Sequence, residues 1–171
     1  MSAATETRAA GREGRPGLGG KFLTFFLAGE EYGLEIRKVH EIIGMMPITR
    51  VPRTPEHVRG VINLRGKVIP IMDLRRKFGM TPAADAQETC IIVVQVRGVQ
   101  VGVTVDRVSE VANIADAEIE DPPSFGEDVH TEYLLGLGKS AGRVMLLLDI
   151  EHVLSRSEVV DLGALRDAAA A

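Results

Sequence analysis

Tryptophan is missing from this chain, and only five phenylalanines and two tyrosines are spread over its 171 residues. So few rings leave little material for the stacking platforms that single-stranded nucleic acid requires. The lone cysteine, Cys90, excludes an internal disulfide and has no metal-ligand companions, which suits a reducing cytoplasm. It reads as a small buried residue in a strand over 90–96. No apolar run approaches the roughly 20 residues of a membrane span, since the longest, near Val144–Leu148, is cut by Asp149. The first twenty residues, MSAATETRAAGREGRPGLGG, lack the apolar stretch of a secretory signal and read as a disordered leader, 1–20.

Patterns for bond chemistry are equally thin. Gly138-Lys139-Ser140 resembles the end of a phosphate-binding loop, but Tyr133 stands where that motif needs its first glycine. The segment also leads into a strand, not a helix. Met145–Ile150 resembles a phosphoacceptor strand, yet no early acidic pair for magnesium accompanies it. His40, His57, His130 and His152 share no ligand spacing and no triad order, and the methionines read as packing residues. The expectation is no catalytic residue, no cofactor and no metal.

What the chain does have is a duplication. GEEYGLEIRKVHEI, 29–42, aligns without a gap on GVQVGVTVDRVSEV, 98–111, with Gly29/Gly98, Gly33/Gly102, Val39/Val108 and Glu41/Glu110 identical. Further on, Gly60, Gly66, Lys67, Val68, Asp73 and Leu74 meet Gly136, Gly142, Arg143, Val144, Asp149 and Ile150 at a slightly larger offset. The chain is one small module written twice. Residues that both copies keep belong to the fold, and residues that one copy has alone are candidates for function. By that test Asp73 and Asp149 are two helix N-caps.

Short β-rich runs bounded by Gly and Pro predict strands at 21–28, 32–36, 58–64, 67–72, 89–96, 99–105, 134–138 and 143–148. Thr54 is expected to cap one helical turn at 55–58. Asp73 is expected to cap a short helix over 74–78, and Asp149 a final helix to about 158, with a frayed tail after it. Such spacing points to small barrels that share an interface, because five strands alone bury little.

Charge is divided unevenly. Residues 47–77 carry eight bases against Glu56 and Asp73, a net +6, while 84–132 carry eleven acids against Arg97 and Arg107, a net −9. The split fits either ordered contacts with partners or plain solvation of two surfaces. Subtracting one copy from the other leaves Arg65 on a Gly-flanked turn where copy two has no arginine. Its five-donor fork suits a partner's carboxylate or an internal pair with Glu41, and the two can coexist.

The motifs YGLEIRKVHEI, RVPRTPEHVRGVINLRGKVIPIMDLRRKFG, VGVTVDRVSEV and TEYLLGLG followed by RVMLLLDIEHVL together resemble the CheW family of bacterial chemotaxis coupling proteins. The resemblance implies an all-β fold of two intertwined five-stranded SH3-like β-barrels with a few short helices. The domain would span 21–157, with subdomains of about 21–82 and 88–157, strand exchange between them left open, and a flexible tail over 158–171. It implies a non-enzymatic adaptor that bridges the cytoplasmic tips of transmembrane chemoreceptors to the regulatory domain of the CheA histidine kinase. Such a protein is cytoplasmic, is recruited to membrane-associated receptor arrays without inserting in the membrane, and contacts other copies in rings. Carried over by position, Arg65, Glu41, Val39, Gly60 and Val111 would bind the receptor, and Phe125 with Glu120 would contact the kinase or a neighbour. Phe125 can equally be tucked onto the core. The competing reading is a nucleic-acid or general protein-interaction module that uses the basic stretch 50–77.

Overall fold

The computed structural model describes residues 17–122 and 131–170. Its strands are β1 Gly20–Leu27, β2 Glu30–Glu35, β3 Val39–Gly44, β4 Val58–Leu64, β5 Lys67–Asp73, β6 Cys90–Val96, β7 Val99–Val105, β8 Arg107–Ile114, β9 Ile119–Glu120, β10 Leu134–Ser140 and β11 Arg143–Leu148. The helices are α1 Leu74–Lys77, α2 Ile150–Val153 and α3 Arg156–Ala170. Four hairpins close on two residues each, Ala28-Gly29, Arg65-Gly66, Arg97-Gly98 and Ala141-Gly142, all at positive φ. Turns of this kind match the right-handed twist of the strands they join, and glycine adopts the second position without strain.

The strands form a six-stranded sheet in the order β8-β1-β2-β11-β10-β9 and a five-stranded sheet in the order β3-β6-β7-β5-β4. Exchanging the copies converts one order into the other, with β9 added at an end. Each sheet therefore takes one hairpin, β1–β2 or β6–β7, from the copy opposite to the rest of its strands. The junctions are parallel, β2 to β11 and β7 to β5, and a repeated glycine sits at each. A Cβ on Gly33 would lie 2.9 Å from Leu147 Cδ2, and one on Gly102 only 2.5 Å from Ile71 Cδ1. These are the two SH3-like units of the expected all-β fold.

Period-two alternation decides where each side chain goes. On β6, Ile92, Val94 and Val96 face a core between the sheets, whereas Ile91 and Val93 face the interior of the five-stranded unit. On β1, Leu23, Phe25 and Leu27 face the same central core, and Phe22 fills the six-stranded unit with Ile114, Ile119, Met145 and Leu147. Burial of both faces explains why these strands are apolar throughout. The scarce aromatics concentrate centrally: Phe25, Tyr32, Phe78 and Tyr133 follow one another with ring centroids 5.5–6.0 Å apart.

Asp73 and Asp149 are helix caps, accepting from Arg75 N at 2.9 Å and Glu151 N at 3.2 Å. Several boundaries differ from expectation. Residues 1–16 of the expected leader lie outside the described residues, but Leu18 packs on the Phe22 cluster and Gly20 already belongs to β1. Thr54 caps nothing: its hydroxyl donates to Val51 O instead. Cys90 is only half-buried, and burial still pushes its thiol above the ordinary range. The final helix stops at Val153, and a new one follows Ser155, whose Oγ accepts from Glu158 N while Glu158 Oε1 accepts from Ser155 N. That reciprocal cap, with Val159 and Leu162 buried in the central core, makes 158–170 a packed helix, not a flexible tail.

Candidate functional site

The β4–β5 turn presents its arginine by local chemistry. Asn63 Oδ1 accepts from Gly66 N at 2.8 Å, and Arg65 stands in the left-handed region at φ 52°. Its Nη2 donates to Glu41 Oε1 at 2.5 Å. Glu41 lies on β3, so the pair links the two outer strands of the five-stranded sheet, while Ile43 and Leu64 pack on one cluster beneath. Arg65 is 68% exposed and Glu41 25%. A pair this open contributes at most about 1 kcal/mol to stability. It leaves most of the guanidinium fork facing outward.

The other expected receptor residues are divided between the sheets. Val39 is on β3 with Glu41 and packs partly against the central core. Val111 is on β8, in the other sheet, and is 52% exposed. Gly60 is buried on β4 at φ 142°, where a Cβ would lie 2.1 Å from Thr49 O. Thr49 and Val61 exchange two backbone hydrogen bonds of 2.9 Å, and Gly60 permits that close crossing. Copy two repeats the device, for a Cβ on Gly136 would lie 2.6 Å from Glu120 O, where β9 crosses β10. Glu120 is exposed on β9 beside Lys139 Nζ at 2.5 Å. Phe125 lies outside the described residues.

Copy two has no arginine at the turn position of Arg65, but Glu110, the counterpart of Glu41, still takes one from elsewhere: Arg143 Nη2 donates to its Oε2 at 2.6 Å. Arg143 stands two residues past Ala141, at the place of Lys67, and reaches back across the barrel end. Gly142-Arg143 in the aligned repeat was the available signal. The Glu110 hydrogen bond, then the charge of Glu31, raises the Arg143 pKa.

Most of the basic stretch is neutralised within the fold. Arg59 holds Asp85 through two bonds of 3.1 and 3.0 Å, Arg76 reaches Glu56 at 3.0 Å, and Lys77 reaches Glu158 at 2.7 Å. Arg75 grips Asp106 at 2.9 and 2.6 Å, joining copy one to copy two. That hydrogen bond holds the Asp106 carboxyl below the usual range despite burial. With Arg65 also paired, five of the eight bases face carboxylates, which removes support from a nucleic-acid surface at 50–77. His57 lies 3.1 Å from Glu158 and His152 2.6 Å from Asp149. Among the described residues no His, Cys, Asp and Glu group has the form of a metal site, and no helix is long and apolar enough to cross a membrane.

The family model for the CheW-like domain matches residues 21–158. The Chemotaxis protein CheW of Klebsiella aerogenes is 42% identical over 142 residues, covering 83% of this chain and 86% of its own. That of Bacillus subtilis is 33% identical, covering 81% and 88%. The crystal structure of the scaffolding protein TtCheW from Thermoanaerobacter tengcongensis superposes with a TM-score of 0.75 at 35% identity, covering 82% of this chain and 95% of that one. With two exchanged SH3-like units and a family match over residues 21–158, this chain belongs to the CheW family of chemotaxis scaffold proteins.

Proposed function

We propose that this protein couples transmembrane chemoreceptors to the CheA histidine kinase, as a cytoplasmic, non-enzymatic adaptor recruited to receptor arrays. The observation that carries the reading is the Arg65 turn, an exposed guanidinium held in a fixed direction by Glu41 on a family-typical scaffold. Such a fork pairs with a carboxylate on the receptor tip, and the neighbouring aliphatic side chains of β3, among them exposed Ile42, can take one apolar stripe of a helix. Val39 and Val111 contribute apolar area, whereas Gly60 contributes by setting the backbone of β4. Glu120 and Phe125 serve a second contact, with the kinase regulatory domain or with another copy of the chain. Signalling then depends on the relative placement of the two partners, not on bond chemistry.

A three-component pull-down with a receptor cytoplasmic hairpin and the kinase regulatory domain tests bridging. Wild-type chain should bring both partners down together, and Arg65→Glu should lose the receptor while retaining the kinase. Receptor capture unchanged by Arg65→Glu in a folded protein would remove Arg65 from the site.

A further inference from the structure

A second residue that distinguishes the ends of the two barrels is Glu31. Its counterpart one repeat later is Gln100, just as Lys67 is the counterpart of Arg143. Glu31 is two residues before Gly33, and the face of Gly33 looks onto Leu147 and Phe22 inside the six-stranded barrel. Glu31 therefore points inward at the barrel end, where its side chain is 6% exposed. Its Oε2 accepts no hydrogen bond among the described residues. The nearest cation, Arg143 Nη1, is 3.5 Å away, while Nη2 of the same guanidinium is committed to Glu110 at 2.6 Å. One arginine thus serves two carboxylates. Arg107, level with Glu31 in the cross-strand row Arg107, Phe26, Glu31, is stacked 3.9 Å over the Phe26 ring and makes no ion pair among the described residues.

An ionised carboxylate oxygen buried without a donor raises the free energy of the fold, and native structures rarely keep one without a use. Glutamine at this position would remove the charge, as the other barrel already does at Gln100. The wider field has the same sign: residues 20–35, 107–122 and 134–148, which build this barrel, hold eight carboxylates against four bases.

We propose that the end of the six-stranded barrel, at Glu31, Arg143 and Glu110, is a docking site for a basic side chain of a protein partner. The entering ammonium or guanidinium donates to the half-exposed Glu110 carboxylate, which frees the Arg143 guanidinium for the buried Glu31 Oε2 and supplies the second positive charge that the two carboxylates lack. The acidic barrel steers the approach, so association is salt-dependent. This inference rests on the adaptor reading but uses the barrel opposite to the Arg65 turn.

The test is Glu31→Gln, with thermal unfolding and with binding to the kinase regulatory domain and to the receptor hairpin at several salt concentrations. The expected result is an unchanged or raised Tm, about tenfold weaker binding to one of the two probes, and a shallower salt dependence for that probe. A lowered Tm would overturn the proposal whatever binding does, because the Glu31 charge would then be satisfied within the fold. Unchanged affinity for both probes would overturn it as well, whether Tm is unchanged or raised. If wild-type chain binds neither probe, the adaptor reading has failed, and the site is judged with N-acetylarginine amide. A shift of the Glu31 carboxyl carbon resonance on adding that probe supports the site, and no shift rejects it.

Discussion

The two barrel ends solve one problem with different residues. At the five-stranded end Glu41 takes the turn residue Arg65, and at the six-stranded end Glu110 takes Arg143 from the strand beyond the turn. The first arrangement projects a guanidinium outward from a hairpin tip. The second folds it down over a buried carboxylate, Glu31. An acid kept in both copies therefore does not define a function by itself; the position of the arginine along the hairpin decides whether the charge faces solvent or the protein.

The comparison breaks most visibly at the repeated crossing glycines. Gly60→Ala should cost about 3–5 kcal/mol, since it combines a clash with the Thr49 carbonyl and an unfavourable φ. Gly136→Ala should cost about 1–3 kcal/mol, because β9 is two residues long and Gly136 is not at positive φ. Urea unfolding of both variants checks this, and equal losses would mean that the two crossings are equally rigid.

Next in size is the link between copies. Arg75→Ala should destabilise by about 2–3 kcal/mol in thermal melts, leaving half-buried Asp106 with only the Ala28 N–H. Because the folded Asp106 pKa lies below the unfolded one, its contribution is complete above about pH 4 and is lost as pH falls through the folded value. Asp106→Asn should flatten that acid limb of the stability profile. A limb of unchanged steepness would assign it to other carboxylates.

Smaller effects separate the ion pairs themselves. Arg65→Glu should weaken receptor-hairpin binding about tenfold or more, as expected for reversing a charge in a contact, with little change in Tm. Glu41→Gln and Glu110→Gln should each shift stability by less than about 1 kcal/mol, but Glu41→Gln should reduce receptor affinity more than Glu110→Gln does. Calorimetric titration of the two variants distinguishes them. Equal loss from both would erase the functional difference between the barrel ends.

Much of the fold was legible because duplication doubles the evidence. The four X-Gly turns, the caps Asp73 and Asp149, and strands such as Val58–Leu64 and Cys90–Val96 follow from local pattern, since turn geometry and alternation act over a few residues. The Glu41–Arg65 pair was available as one of two readings of Arg65. The Glu110–Arg143 pair was only half legible: the aligned repeat contains Arg143, but whether it meets Glu110 depends on how far a side chain reaches around a curved sheet. Helix α3 is not legible locally, because its alanine-rich end looks frayed while Val159 and Leu162 find their burial only against strands distant in sequence.

Local sequence determined the module, its repetition, its turns and the residues that tell one copy from the other. Only the tertiary structure decided that each copy lends a hairpin to the other's sheet. That choice rests on parallel contacts of Gly33 with Leu147 and Gly102 with Ile71, residues far apart in the chain whose close approach no short-range pattern encodes. The same long-range packing placed beneath Arg143 a buried carboxylate, Glu31, whose Oε2 has the arginine's charge nearby but no hydrogen bond among the described residues.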